Sequence, residues 1–409
     1  MGALSGIRVL DLSRVLAAPF ATQLLGDMGA EVIKVERPGE GDETRGFGPP
    51  FLRSQEEGAS DAAYFLTANR NKKSIAVDFS KPEGASLLRN LANSSDVVVE
   101  NYRTGSLAKY GLDYQTLKAG NPSLIYCSLT GFGHTGPYRD KAGYDYLMQG
   151  MGGLLSVTGH PDGVDGAEPM KVGVAVSDLF CGLFAANAIQ SALIHRFRTG
   201  LGQSIDMALF DCQVATLVNQ GTNYLCSGEV PQRVGNAHSN IVPYQVFKSA
   251  DGHVILAVAN DGQFARFCDA IGLAALASDP RFQRNGDRVR NRELLIPLLR
   301  EPIIREATEH WITLWEAANV PCGRINRIDE VFADPQSVAR GHVVEMAHPV
   351  GGVARLIASP MRLEGTPSTY RYPPPLLGEH THEILTSVLG LSDLQMKSLE
   401  DDGVIAGCA

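Results

Sequence analysis

Asp178 is the residue whose type and setting point most directly to chemistry. It stands in VSDLFCG at the head of a long apolar stretch, where the positive end of a helix dipole favours an ionised carboxylate, the form that attacks electrophiles. The same placement suits a plain cap for amide hydrogens that a helix cannot satisfy itself, and both readings stand on these residues alone. A second group of residues could hold an anion. Arg37 follows the strand-like run EVIKVE, and Asn101, Tyr102 and Arg103 follow VVVE. Both positions lie beyond a strand's carboxyl end, where parallel sheets bind ligands. An Arg there offers a planar fork to a phosphate or carboxylate, although loop Arg and Lys residues are usually just solvated. Arg70, Lys72 and Lys73 are read as solvated surface of that kind.

Other chemistries find no support. The first strand-to-helix connection, SRVLAAP, has no G-x-G-x-x-G, and neither a G-x-x-x-x-G-K-[ST] loop nor a G-x-S-x-G elbow occurs, so NAD, ATP and serine-hydrolase chemistry are not expected. His380 and His382 form the one close His pair, which fits a solvated turn better than a metal site. No metal is expected.

These residues need elements to position them. IRVLDL (7–12), EVIKVE (31–36), SIAVD (74–78), VVVE (97–100) and LIYCSL (124–129) read as strands, with helices from Ala17 to Met28 and from Pro82 to about Leu91 between them. The alternation predicts a parallel, doubly wound α/β sheet. Helices are expected over 178–198 and 207–224. After the loop chemistry of 228–245, YQVFKS and HVILAV alternate like a hairpin and open a second domain, with helices over 262–270 and 292–300. VARLIA (353–358) and a helix from about Thr381 close the chain.

The length of 409 residues accommodates two domains. Hydrophobic residues make up 44% and charged residues 20%, the profile of a chain with a sizeable core. The net charge of -9 lacks the basic excess of a nucleic-acid binder, so local positive groups must meet any anionic ligand. Seven cysteines (Cys127, Cys181, Cys212, Cys226, Cys268, Cys322 and Cys408) contain no C-x-x-C pair, which suggests a reducing compartment. The opening MGALSGIRVLDLSR shows no secretory pattern. The longest apolar stretch, 179–194, is interrupted by Asn187 and Gln190 and falls short of the roughly 20 residues of a spanning helix. A cytoplasmic protein without membrane or nucleic-acid partners is expected.

Several blocks together resemble the family III (CaiB/BaiF) CoA-transferases: LSGIRVLDLSRVLAAPFATQLLGDMGAEVIKVERPGEGDETR, VVVENYRTGSLAKYGLDYQTLKAGNPSLIYCSLTGFGHTGPY, KVGVAVSDLFCGLFAANAI, GNAHSNIVPYQVFKSADGHV, VPCGRIN and PPPLLGEHTHEIL. The likeness runs nearly the whole chain, with every block in the family's order. It implies a Rossmann-like large domain built from both chain ends (1–225 and 329–409), a smaller α+β domain (226–328) and an interlocked homodimer. It implies Asp178 as the nucleophile, taking the acyl group of a CoA thioester through an aspartyl anhydride and an aspartyl-CoA thioester, with coenzyme A as a substrate and no permanently bound cofactor.

The resemblance also assigns residues. Arg37, Val77, Asp78, Asn101, Tyr102, Arg103 and Lys109 match CoA-contacting positions, Lys109 standing in place of an Arg. Tyr144 and Asp145 match positions lining the transferase site. Gly262 and Gln263 of AVANDGQF match a loop over the site, with fewer glycines than the formyl-CoA transferase pattern; a polar turn opening a helix explains them equally well. The family also includes α-methylacyl-CoA racemases, where a His precedes the Asp of AGYDYLMQG. Here that position is Tyr144, and a phenol, ordinarily ionising near pH ~10, is a poor base at neutral pH. The overall pattern is most similar to succinyl-CoA:dicarboxylate transferases of the glutarate type, with glutarate or itaconate as acceptor. A distal carboxylate wants a cation, for which Arg45, Arg233 and His238 are candidates. A racemase, or a CoA-binding module without catalysis, is the alternative.

Overall fold

Short runs rich in β-branched residues, buried on both faces, build the centre of the chain. A computed structural model describes residues 1–52 and 61–407; Cys408 lies outside them. β1 (Arg8–Asp11), β2 (Glu31–Glu36), β3 (Lys72–Val77), β4 (Val97–Glu100), β5 (Ile125–Thr130) and β6 (Ser204–Ala208) pair in parallel in the order β3-β2-β1-β4-β5-β6. Ile405–Ala406 adds an antiparallel edge beside β3. Successive side chains of a strand point to opposite faces, and helices cover both. Val9, Val97, Val99, Ile125 and Cys127 pack with helices Ala17–Asp27 and Val176–Thr199. Leu10, Ile33, Ile75, Val98 and Tyr126 pack with helices Pro82–Asn93 and Thr381–Leu389.

The strand order reverses direction between β1 and β4. Connections leaving these two strands therefore diverge, which opens a crevice at their carboxyl ends. The 24-residue helix Val176–Thr199 reaches the same end of the sheet. It approaches the Ala17–Asp27 helix closely at Gly182, where a Cβ would lie 2.6 Å from the Ala17 carbonyl oxygen. Cys181, Ala185, Ile189 and Ala192 fill that interface. This helix is long and apolar enough to cross a membrane, with a mean hydropathy of 1.3 over its most apolar window, half of which is buried. The apolar stretch 179–194, interrupted by Asn187 and Gln190, is shorter than a span, but the helix that contains it extends beyond it at both ends.

The chain divides into two compact units: Met1–Gly152 with Gly173–Thr216 and Gln336–Ala409, and Gly153–Val172 with Leu217–Pro335. Segment 153–172, which the resemblance places in the large domain, falls in the second unit. That unit contains an antiparallel sheet of β7 (Tyr244–Lys248), β8 (His253–Ala257) and β9 (Cys322–Arg324). Its core is aromatic, with Phe247, Phe264, Phe267, Phe282, Trp311 and Trp315 buried. In the first unit a hairpin of β10 (Val343–His348) and β11 (Gly352–Ile357) precedes the final helices.

One expected element differs. The helix predicted over 207–224 is instead β6, then helices Leu209–Ala215 and Val218–Ser227. SIDMA alternates exposed Ser204 and Asp206 with half-buried Ile205 and Met207, the period of an edge strand. The helix then breaks at Val218, whose φ of 36° no regular helix adopts.

Candidate active site

Two adjoining cavities, of about 420 and 480 Å³, occupy the crevice at the carboxyl ends of the strands. They share Arg14, Glu43, Tyr102 and Ser106 as lining residues. The first is bounded by the connection after β1, the turn after β4, the segment after β5, and Asp178. The second is bounded by the segments after β2, β3 and β4. Residues scattered over the sequence thus meet because one end of a parallel sheet gathers its loops.

The sequence-predicted residues divide between the two. Asn101, Tyr102, Arg103, Tyr144 and Asp178 line the first; Arg37, Val77, Asp78, Tyr102 and Lys109 line the second. Tyr144 is 70% exposed, so it is not the buried, internally satisfied tyrosine that a purely structural role would require. Asp78 turns its carboxylate onto Ser80, accepting from its amide at 3.0 Å and its hydroxyl at 2.6 Å. Arg37 is exposed beside Glu40 at 3.2 Å, and Arg103 and Lys109 are exposed.

Asp178 sits in the first turn of its helix and is 9% exposed. It is not the helix cap. Residue 175 is an alanine without a capping oxygen, and Asp145 supplies the cap from another segment, its Oδ1 accepting from Ser177 N at 2.8 Å and Asp178 N at 3.4 Å. Asp145 therefore faces the helix end and not the cavity, correcting its expected place among the lining residues. Among the described residues no donor reaches the Asp178 carboxylate oxygens. Burial raises its pKa to about 7, and the Asp145 charge adds to the rise.

A buried polar network fixes the first loop. Asn101 brackets the Arg14 peptide, and Val15, held at φ 71°, donates its amide to both Asp42 oxygens at 3.3 Å. Lys34 anchors Asp42 at 2.8 Å with both side chains fully buried. Burial works against the Asp42 charge, but Lys34 and Thr44 outweigh it and hold the carboxyl down at about 2. Glu100, raised to about 7 by burial, accepts from Tyr102 N at 2.7 Å and shapes the turn after β4.

Sequence reasoning missed part of the lining. Arg14, Thr104, Ser106, Arg139 and Lys141 all border the first cavity. Among the described residues Arg14 Nε, Thr104 Oγ1 and Ser106 Oγ are buried without a hydrogen-bond partner, which leaves three unsatisfied donor groups at the border of this cavity. The available signal was positional, since each residue follows the carboxyl end of β1, β4 or β5.

Other candidates are engaged elsewhere. Arg45 was a candidate for an acceptor carboxylate, but its guanidinium binds Glu36 at 2.7 and 2.8 Å, Asp61 at 2.7 Å and the Pro375 carbonyl at 3.1 Å, and it lines neither cavity. Arg233 and His238 belong to the second unit. There Arg233 donates to His160 O at 3.0 Å and pairs with Asp162, and His238 Nδ1 accepts from Asn240 N at 3.0 Å. Gly262 and Gln263 lie in the first turn of helix Asp261–Ala270, where Gln263 N donates to the Asn260 side chain at 2.9 Å and Gln263 Oε1 accepts from Ala259 N at 2.8 Å.

The reading of Arg70 and Lys72 as solvated surface is overturned. Arg70 pairs with buried Asp27 at 2.6 Å, and Lys72 is fully buried against Asp11 at 3.0 Å, the Pro19 carbonyl at 2.9 Å and Asn69 at 3.0 Å. Desolvation lowers Lys72 to about 8. The partners of Arg70 and Lys72 come from the end of the Ala17–Asp27 helix and from β1, two strands away from β3, and sequence spacing does not reveal that. Lys73 remains nearer the surface, bridging Glu383 at 2.7 Å and Glu31 at 3.5 Å.

The geometry can be set beside known proteins. The family model described as CoA-transferase family III matches residues 4–381. The chain is 51% identical over 385 residues to a succinate–glutarate CoA-transferase of Agrobacterium fabrum, covering 94% of this chain and 95% of the relative. It is 44% identical to the succinyl-CoA:glutarate CoA-transferase of Homo sapiens, covering 98% and 90%. A crystal structure of a CaiB/BaiF family protein from Brucella suis superposes with a TM-score of 0.82 at 48% identity, covering 95% of this chain and 99% of that one.

Proposed function

The chain belongs to CoA-transferase family III, and we propose that it moves CoA from succinyl-CoA to a short dicarboxylate, glutarate first and itaconate second, through covalent intermediates on Asp178. The observation that carries this reading is Asp178 itself. A buried carboxylate without hydrogen-bond donors, facing a cavity bordered by Arg14, Thr104 and Ser106 with unpartnered donors, is arranged to attack and not to support the fold. The names of the relatives supply the substrates.

The reaction follows from carboxylate chemistry. Asp178 attacks the thioester carbonyl of succinyl-CoA; the C–S bond breaks, CoA leaves as thiolate, and a mixed anhydride remains on Asp178. The thiolate then attacks the aspartyl carbonyl, releasing succinate and leaving an aspartyl-CoA thioester. A glutarate carboxylate displaces CoA again to form a second anhydride, and the thiolate attacks its glutaryl carbonyl, giving glutaryl-CoA and free Asp178. No step loses acyl activation to water, so no ATP is needed. Each oxyanion needs pre-aimed donors. The Ala17–Asp27 helix begins at the cavity without a side-chain cap, so its first amides can serve.

CoA supplies phosphates that need cations. Arg37 and Lys109 in the second cavity and Arg14 in both are placed to meet them despite the chain's net charge of -9. In this reading coenzyme A is a substrate. Phe180, Leu183, Phe184, Ile194 and Phe197 leave an exposed apolar face on the long helix. A surface of that kind needs a cover, and a second copy of the chain is the cover we favour. The six described cysteines are all free, in keeping with a cytoplasmic setting.

Chromatography of CoA esters after incubation with succinyl-CoA and a panel of dicarboxylates tests the reading. Glutaryl-CoA is the expected product. Failure to exchange with every dicarboxylate offered would overturn it.

A further inference from the structure

The long helix carries its nucleophile at an end it cannot cap. Ala175 has no side-chain acceptor, and the Asp145 carboxylate comes in from the first residue of helix Asp145–Met151 to take the Ser177 and Asp178 amides. Its other oxygen is fixed by Gln149 Nε2 at 2.8 Å. Ser177 is held in turn by Gln213, its Oγ donating to Oε1 at 2.7 Å, and Gln213 Nε2 donates to Thr216 at 3.0 Å. Gln149, Ser177 and Gln213 are fully buried. A neutral side chain would serve as well for a cap alone, and a second carboxylate beside a buried, unpartnered one is electrostatically costly.

We propose that Asp145 is a positioning residue for Asp178: it caps the nucleophile's helix from a neighbouring segment, and its negative charge drives charge off Asp178 as the acyl group is taken. The proposal rests on Asp178 acting as nucleophile. When Asp178 attacks, its negative charge moves to the carbonyl oxygen and then leaves on the thiolate, so the acylated aspartyl group is neutral. Repulsion from Asp145 is present in the free enzyme and relieved in the anhydride, which favours acylation. The same repulsion keeps the free carboxylate basic, hence a stronger nucleophile once ionised.

Other groups near Asp178 do not combine the two properties. Tyr64 feels the charges of both Asp178 and Asp145, and Cys181 that of Asp178. Around the cavity, Arg14, Arg103, Arg139 and Lys141 are balanced in part by Glu43 and Asp140. Among the described residues, only Asp145 both bonds the nucleophile's helical turn and bears on its charge.

The test compares kcat/KM against pH for succinyl-CoA-dependent transfer in the wild-type protein, Asp145→Asn and Asp145→Ala. Asn keeps an acceptor for Ser177 N and loses the charge, and Gln149 can turn its amide to receive the new NH2 group. The expected result is that the acid limb of Asp145→Asn moves down by about half a pH unit or more, with a several-fold loss of rate on the alkaline plateau. Asp145→Ala should show the same displacement and a lower melting temperature. Adding Ala175→Ser to Asp145→Ala supplies a local cap; it should recover stability without returning the acid limb to its wild-type position. Superimposed limbs for the wild type and Asp145→Asn, or a limb restored by Ala175→Ser, would overturn the proposal. Retained transfer in Asp178→Ala would instead sink the nucleophile assignment beneath it, so the two failures are distinguishable.

Discussion

Asn101 closes on the Arg14 peptide from both sides, its Oδ1 accepting the Arg14 amide at 2.9 Å and its Nδ2 donating to the Arg14 carbonyl at 2.7 Å. This pair ties the turn after β4 to the loop after β1 across the point where the strand order reverses. The next residue, Val15, has φ 71°, a left-handed conformation that costs a β-branched residue on the order of 1–3 kcal/mol. Such strain persists only where the surroundings impose it, and Asn101 and Asp42 impose it here.

Asn101→Ala should therefore cost more than one contact. Both polar groups of the Arg14 peptide lose their partner, at about 1–3 kcal/mol each for a buried group. Urea denaturation should show a lowered midpoint, and kcat/KM should fall at least tenfold because Arg14, Val15 and Leu16 border the cavity. A fully active, equally stable variant would show that the loop is held by other means.

Asp178 should trade stability for reactivity. Its folded pKa of about 7 lies above the ordinary aspartate value of 3.8, so the folded state retains the proton more tightly and stability falls as pH rises through that interval. Asp178→Asn should then be inactive yet more stable at pH 8, by on the order of 3 kcal/mol, with the advantage vanishing near pH 4. Thermal melts of both proteins from pH 4 to 8 measure this; an unchanged or reversed difference would contradict the electrostatic description.

Arg45→Ala should act on stability and not on acceptor choice. Removing the guanidinium leaves Glu36, whose side chain is 1% exposed, with only the Ser74 hydroxyl, the Asp42 amide and the Lys34 charge to balance it, at a cost of roughly 3 kcal/mol. Chemical denaturation checks the loss, and competition between dicarboxylates in the surviving enzyme checks the preference. A switched acceptor with intact stability would return Arg45 to the site.

Arg103 is exposed and has no side-chain partner among the described residues, so Arg103→Ala should fold normally. If its charge meets an anionic oxygen of the CoA thioester, KM should rise by roughly tenfold or more with kcat little changed, and the effect should shrink at high salt. Steady-state kinetics at two ionic strengths decide it.

Much of this arrangement could be read from sequence because it depends on local patterns. β2 and β4 have the bounds expected of them, β4 from an apolar run and β2 from apolar residues interspersed with Lys34, and Asp178 opens a long apolar stretch that forms one helix. The residues that assemble across the fold were less visible. Arg14 sat in a connection noticed only for its missing glycines, and Thr104 and Ser106 were two ordinary hydroxyls in a turn. Arg45 and Lys72 misled for the opposite reason. Arg45 lies beyond the carboxyl end of β2 but folds back onto Glu36, the last residue of that strand, and Lys72, at the start of β3, reaches Asp11 on β1, two strands away, which only the assembled sheet shows. Asp145 matches a lining position of the family, yet helix geometry turns its carboxylate onto Ser177.

The central claim is that Asp178 carries the acyl group and then CoA. The most direct measurement is peptide mass mapping of the protein after brief reaction with succinyl-CoA, acid quench and proteolysis, in parallel with Asp178→Ala. The account predicts an acyl or CoA adduct, sensitive to hydroxylamine, on the peptide containing Asp178 and on no peptide of the variant. An adduct on another residue, or undiminished glutaryl-CoA formation by Asp178→Ala, would contradict it.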